Sequence, residues 1–372
     1  MSFLEDLGER IAKLQVKKPS LFFTLLILFL LATLPGITLL LGHIEPSLEK
    51  ILPQQVDEVK AMNEMRSQFG ADMMYILVFA DGPTSDVYEP DVIKYIDVLS
   101  SRLRKNDFIL SVSNIADSVK KKNMGIIPES TEEIIYLLKD DPQANMLTNE
   151  RRDLTVINIR SDTGATASVV KKVVDEMTKE IENVEEFNPG LRLEITGFNS
   201  IDKATFEVIM LDFVKIMIFA FVFMLIFLFL YFKDWRNVFS SIFVIAVSVL
   251  TTLGIVGYLN ITITVVTMVA AAMIMALGIS YGINVIFEYY SLKKSNDKNN
   301  SLIKLNRSLL RALIGSSLTT SAGFLALLFG IIPAMKNLGI VLTIGIIITL
   351  IVSIVFLPVV IYKLDTKGEK TK

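Results

Sequence analysis

Along this chain, long stretches without charge alternate with one long stretch in which charge never lapses. Six apolar runs lie near residues 21–42, 213–232, 238–259, 262–287, 313–332 and 338–361. Each approaches or exceeds the roughly 20 residues that a helix needs to cross a hydrocarbon core of about 30 Å. Between the first and second runs the period changes. MMYILVFA (73–80), DFILSVSN (107–114), DLTVINIR (153–160) and LRLEITGF (191–198) read as strands. Between the first two, Val92, Ile93, Ile96, Leu99 and Leu103 recur at helical spacing; between the last two, Val169, Val170, Val173, Met177 and Ile181 do the same. The order is that of a split βαβ unit, βαββαβ, with an insertion near 116–150 that predicts one or two short helices.

The expected fold is therefore an α-helical polytopic membrane protein of six spans, with one external α+β ferredoxin-like domain between the first and second. Its predicted parts are an interfacial amphipathic helix (1–18), a first span (19–42), the α+β domain (43–212), a five-helix bundle (213–362) and a tail (363–372). In the first part, Phe3, Leu7, Ile11 and Leu14 share a helical face, as they would at the headgroups. SLIKLNRSLLRALIG (301–315) repeats that pattern before the fifth run. Lys17 and Lys18 precede the first run as in a signal sequence, but the run is longer than a signal core and predicts an uncleaved anchor.

Charge orients the spans. Residues 43–212 hold 31 acidic and 19 basic side chains, so the net −2 of the whole chain hides an acidic insert and basic flanks. Lys and Arg number four in 1–20, two in 233–237, six in 291–312 and four in 363–372, whereas 259–262 has none and 331–337 only Lys336. The positive-inside rule then predicts a plasma-membrane protein with both termini cytoplasmic and 43–212 outside.

Composition removes whole classes of chemistry. Apolar residues make up 52% of the 372 and mean hydropathy is +0.53, values of a membrane protein. The chain has no cysteine, and His43 is its one histidine, so thiol catalysis, zinc-thiolate sites and imidazole triads are ruled out. No Walker motif offers a phosphate cradle. No catalytic residues, metal ligands or cofactors are expected, nor nucleic acid as a partner, because topology accounts for the basic residues.

The polar residues inside the runs are the candidates for function. In ALGISYGINVIFEYY (276–290), Ser280, Asn284 and Glu288 share a face at i, i+4 and i+8, with Gly278 and Gly282 nearly opposite. Gly278 and Gly282 permit close approach of another helix. In the fifth run Gly315, Thr319 and Gly323 share a face, with Ser316 and Thr320 beside it, and Gly345, Thr349 and Ser353 repeat the motif in the sixth. Glu288 falls near the headgroups beside Tyr289 and Tyr290 as part of an aromatic belt. Asp212 and Glu207 flank the second run, with Lys215 in reach of either. Met62, Met65, Met73 and Met74 offer adaptable lining or plain core.

One span, an external βαββαβ domain and five further spans together resemble half of a resistance-nodulation-division (RND) transporter. LEITGFNSIDKA (193–204) is similar to that domain's exit into the second span. Gly278, Tyr281 and Asn284 match the fourth-span pattern of the mycobacterial membrane protein large (MMPL) branch, and 312–329 with 335–361 resemble its fifth and sixth spans. The resemblance implies a transporter of hydrophobic, lipid-like molecules at the outer leaflet of a prokaryote, with an archaeon as the expected host, and with Ser280, Tyr281 and Asn284 as its polar switch. Ser316, Thr319 and Thr320 would be hydroxyl or packing partners. Relatives carry the unit twice per chain, which implies a homodimer, or less readily a trimer, with Gly278 and Gly282 near its axis. Many relatives hold an Asp where Ser280 stands, and serine does not titrate near neutral pH. Transport is then uncoupled, sodium-linked through hydroxyls and carbonyls, or proton-linked through Glu288 or Asp212. Two other readings stay open: a Sec-associated type of export accessory, and a lipid or sterol sensor that does not transport.

Overall fold

A computed structural model describes residues 2–44, 51–69, 72–82, 85–161 and 167–365. Among them are fourteen α-helices and four strands, in two compact units. In chain order they are α1 (Ser2–Lys17), α2 (Pro19–Leu41), α3 (Asp57–Phe69), β1 (Asp72–Phe79), α4 (Pro90–Leu103), β2 (Ile109–Ser113), α5 (Ile115–Lys122), α6 (Thr131–Leu138), α7 (Pro142–Leu147), β3 (Leu154–Ser161), α8 (Ala167–Asn183), β4 (Arg192–Gly197), α9 (Phe198–Phe232), α10 (Trp235–Tyr258), α11 (Val265–Lys293), α12 (Lys298–Leu325), α13 (Pro333–Ile351) and α14 (Leu357–Asp365).

In the first unit, six helices are long and apolar enough to cross a membrane, matching the six runs. The last of these, Pro333–Asp365, is α13 and α14 joined by a π turn at Val352–Phe356. Proline explains the join. Pro358 has no N–H to give to the Ile354 carbonyl. The buried amide of Gln15, on α1, donates instead, to Ile354 O and Val355 O at 3.0 Å each, and Asn306 Nδ2 of α12 donates to Gln15 Oε1 at 2.7 Å. So α1 packs on α12 through Gly8, Ala12 and Gln15, all buried, while Leu7 and Leu14 stay exposed, as an interfacial helix requires. The side chain of Phe3 lies outside the described residues.

The tightest helix pair is α2 with α10. A Cβ on Gly257 would sit 1.8 Å from Gly36 O, and one on Gly36 2.0 Å from Gly254 O, so only hydrogen fits. Beside Pro35, Tyr258 Oη donates to the Ala32 carbonyl at 2.7 Å.

The second unit holds the sheet, with strand order β2-β3-β1-β4 and every neighbouring pair antiparallel, the order of a split βαβ fold. Alternation on β1 sends Met74, Ile76 and Val78 to one face, where they pack with Ile157 and Ile159 of β3 and are covered by Ile93, Ile96 and Leu99 of α4 and Val173 and Met177 of α8. The insertion forms three short helices, α5 to α7, rather than one or two. Each starts on a polar residue, because small polar side chains serve the free N–H groups of a first turn. Asn114 makes a capping box with Asp117, and Asp141 accepts from Gln143 N and Ala144 N. Burial alone would raise the Asp141 carboxyl, but those N–H groups and Lys122 outweigh it and hold it below its ordinary value. Helix α3, unforeseen in the sequence, has a mostly polar, exposed surface where described. Of the four methionines, Met74 is core, while Met65 and Met73 are about half exposed.

Candidate functional site

The two faces of α11 separate as the 100° spacing predicts. Gly278 and Gly282 are buried against α10, where added Cβ atoms would lie 3.1 Å from Ile245 Cγ1 and 3.4 Å from Ser241 Cα. This corrects the expectation that they flank a dimer axis: their smooth face is used within the protomer.

Ser280 and Asn284 point the other way and are exposed. With Ala276, Ile279 and Ile283 they form one wall of an open groove of about 570 Å³; Ala220, Phe223, Met224 and Phe227 of α9 form the other. Ser280 and Asn284 bring the only polar side chains to its lining. Helix α9 leans on the bundle chiefly through Met224 and Leu228, which cluster with Val238 and Ile245 of α10 and Met275 of α11. The groove is thus apolar, open along its length, and marked by one hydroxyl and one amide a turn apart.

Tyr281 takes a third direction. It is buried, and its hydroxyl lies 2.7 Å from Ser317 Oγ on α12. Ser317 was missed among the serines and threonines of the fifth run because it lies off the glycine stripe. The threonine hydroxyls beside it turn back to their own helix instead. Ser316 and Thr319 are exposed; Thr319 Oγ1 turns back to Gly315 O and Ser316 O, and Thr320 Oγ1 to Ser316 O, all in their own helix. Cβ atoms added at Gly315 and Gly323 would meet nothing within 4 Å.

The carboxylates lie apart from the groove. Glu288 is half-buried and accepts from Ser308 Oγ at 3.2 Å. Asp212 pairs with Lys215 at 3.3 Å, both well exposed; the side chain of Glu207 lies outside the described residues. Tyr289 is not a belt residue, since it is fully buried and donates to Asp365 Oδ2 at 2.9 Å. Asp365 also pairs with Lys293 at 2.6 Å, tying the end of α14 to that of α11. Among the described residues no group of His, Cys, Asp and Glu is arranged to hold a metal.

A second polar feature lies inside the bundle. Ser241, Ser248 and Thr251 of α10 and Ser353 of the π turn are buried with hydroxyls that lack a hydrogen-bond partner. Thr252 and Thr349 satisfy theirs on Ser248 O and Gly345 O. The available signal in the sequence is the helical spacing of serines and threonines in the third run.

Six candidate spans, with a four-stranded antiparallel domain between the first and second, define a membrane transporter unit of the RND type. The sequence matches the MMPL family over residues 50–368, and the chain belongs to that family, whose members are transporters. It is also 28% identical over 370 residues to the membrane protein MJ1562 of Methanocaldococcus jannaschii, a match that covers 96% of this chain and 94% of the archaeal one.

Proposed function

We propose that the protein moves or extracts lipid-like molecules at the outer leaflet, as a homodimer and with weak or non-standard ion coupling. The observation that carries this reading is the groove between α9 and α11. Its apolar walls suit the hydrocarbon chain of a lipid, and Ser280 and Asn284, which on the orientation below lie at and beneath mid-membrane, set two polar groups along that chain's path rather than at an outer-leaflet headgroup. Polar groups facing hydrocarbon are costly and ordinarily face protein or a cavity. A second copy seated on α12 would cover Ser316 and Thr319, the open Gly315 and Gly323 would let it come close, and Ser280 and Asn284 would be left to the groove. The axis then runs along this face and not along Gly278 and Gly282. The basic flanks supply the orientation, with the termini cytoplasmic and the α/β domain outside.

Coupling without a fourth-span carboxylate leaves the buried hydroxyls of α10 and the π turn as the groups available to a monovalent cation or a water file. With a hydroxyl and an amide as the polar groups lining the groove, sodium or no ion is favoured over protons as the driving species.

Native mass spectrometry of the full-length protein released from mild detergent, with lipid extraction of the same sample, tests both halves of the proposal. A dimer mass with a selectively enriched lipid is expected, followed by flux of that lipid in proteoliposomes that a sodium gradient changes more than a pH gradient. A bare monomer with only bulk lipid would overturn the reading and put an export accessory in its place. Bound lipid without flux would leave a sensor.

A further inference from the structure

A hydroxyl inside a helix commonly turns back to the carbonyl three or four residues earlier. Ser240, Thr252, Thr343 and Thr349 do so, on Arg236 O, Ser248 O, Gly339 O and Gly345 O at 2.7–2.8 Å. Ser241, Ser248 and Thr251 of α10 and Ser353 of the π turn do not. Each is fully buried, and each keeps a hydroxyl without a partner. Buried polar groups are ordinarily satisfied, so a set of unmet hydroxyls asks for a common cause.

Contacts at the glycines show where these residues meet. A Cβ on Gly345 of α13 would lie 2.4 Å from Ile274 Cδ1 of α11 and 3.6 Å from Thr252 Cγ2 of α10. Gly278 and Gly282 of α11 face Ile245 and Ser241 of α10 in the same way, with Ser241 Oγ 3.4 Å from a Cβ on Gly282. The helices α10, α11 and α13 thus share one seam. As the third span, α10 runs opposite to the fourth and the sixth. One turn back from Thr252 and one turn on from Gly345 therefore reach the same level, that of Ser248 and Thr349. Ser353, a further turn along, lies level with Val244, in keeping with the packing of Val244 and Val352 in one cluster.

Side-chain direction brings the oxygens together. The Cα–Cβ bond of a helical residue tilts toward the N-terminus of its helix. Because the two helices are opposed, Ser248 leans toward Ser353 and Ser353 toward Ser248. Thr251 stands beside them, one turn on from Ser248. Thr349 has given its proton to Gly345 O, which leaves its lone pairs unused.

No charge competes at this seam. Residues 237–258, 265–287 and 337–362 contain no acidic or basic side chain. A proton has no carboxylate to occupy there, whereas neutral oxygens suit a small hard cation. Interrupted membrane helices are also where such ions are held, and the π turn interrupts this one.

We propose that Ser248, Thr251, Thr349 and Ser353 hold a sodium ion, with Ser241 as the next oxygen toward the cytoplasm. The inference rests on the sodium-linked reading above and gives it a site apart from the groove of Ser280 and Asn284.

Binding of radioactive sodium to the full-length protein in nanodiscs, followed by scintillation proximity, tests it. Saturable binding is expected, displaced by unlabelled sodium, less well by potassium and not by choline. Ser248→Ala and Ser353→Ala should each weaken it about tenfold, the scale of one lost bond to a charged group. Ser240→Ala, next to the seam but bonded to its own helix, should leave binding unchanged. Should either seam variant fail to fold, Thr349→Val keeps the shape and removes an oxygen. Absence of saturable binding, or binding that the seam variants leave intact, would overturn the inference and return the hydroxyls to water or packing. Sodium bound without co-purifying lipid would keep this site and undo the lipid reading. Selectively enriched lipid without sodium binding would keep the lipid reading and overturn the site.

Discussion

Helices α9 and α10 follow one another in the chain and read alike, with peak mean hydropathies of 2.9 and 2.3, yet in their most apolar stretches 11% of the first and 56% of the second is buried in the bundle. Composition accounts for the gap. Between Val208 and Phe232 there is no glycine, serine or threonine, whereas α10 has Ser240, Ser241, Ser248, Thr251, Thr252, Gly254 and Gly257. In lipid a leucine gains little by leaving acyl chains for another helix, so association depends on small residues and hydrogen bonds. The more apolar helix is therefore the looser one. That difference sets α10, packed against α2 and α11, apart from α9, a wall that borders the groove without locking it.

The surest way to break this contrast is to put bulk where only hydrogen fits. Gly254→Leu or Gly257→Leu should cost more than the roughly 1–3 kcal/mol typical of overpacking, because the obstacle is Thr33 or Gly36 backbone and not a side chain that can turn aside. Loss of a monodisperse peak in fluorescence-detected size exclusion is the expected result. A folded Gly257→Leu protein would mean that α2 and α10 do not meet at these glycines.

Next in size is the polar key at the π turn. Gln15→Leu keeps volume but strands Ile354 O and the Asn306 amide, which is expected to cost about 1–3 kcal/mol, the scale of an unsatisfied buried polar group. A lowered midpoint in thermal unfolding checks it. Leu14→Gln, one position away on the exposed face, should leave that midpoint nearly unchanged.

A smaller effect sharpens the comparison within α11. Tyr281 and Ser317 form one interhelical hydrogen bond, and such pairs average about 0.6 kcal/mol in membranes. The cycle of Tyr281→Phe, Ser317→Ala and the double variant should return a coupling of that order. Coupling near zero would make the pair a neighbour contact and no more.

How far these features could be read beforehand follows the same division. Runs of apolar residues gave all six spans, and alternation gave all four strands, because each signal is local. Ser280 and Asn284 were placed on the face opposite Gly278 and Gly282 for the same reason: helix geometry alone decides it. What each face meets is not local. That the glycines serve α10, that Tyr281 finds Ser317 and not Ser316, and that Tyr289 turns inward to Asp365 all depend on the order of helices around the bundle. Gln15 was the least legible of all. It reads as one more polar residue on a surface helix, and its partner is a carbonyl freed by a proline more than three hundred positions away.

The smallest change in stability is expected on the wall itself. Phe223 and Phe227 line the groove from α9, and 69% and 55% of their surfaces remain exposed. Truncating either to alanine removes a ring that lipid can replace, so the unfolding midpoint should shift by no more than a surface substitution does, within about 0.5 kcal/mol. If the groove carries cargo, the same variants should change the lipid that co-purifies or the rate at which it moves. Stability held constant with lipid handling altered would assign α9 the part of a functional wall. A large loss of stability would show that α9 is held to the bundle far more firmly than its composition implies, and the contrast with α10 would dissolve.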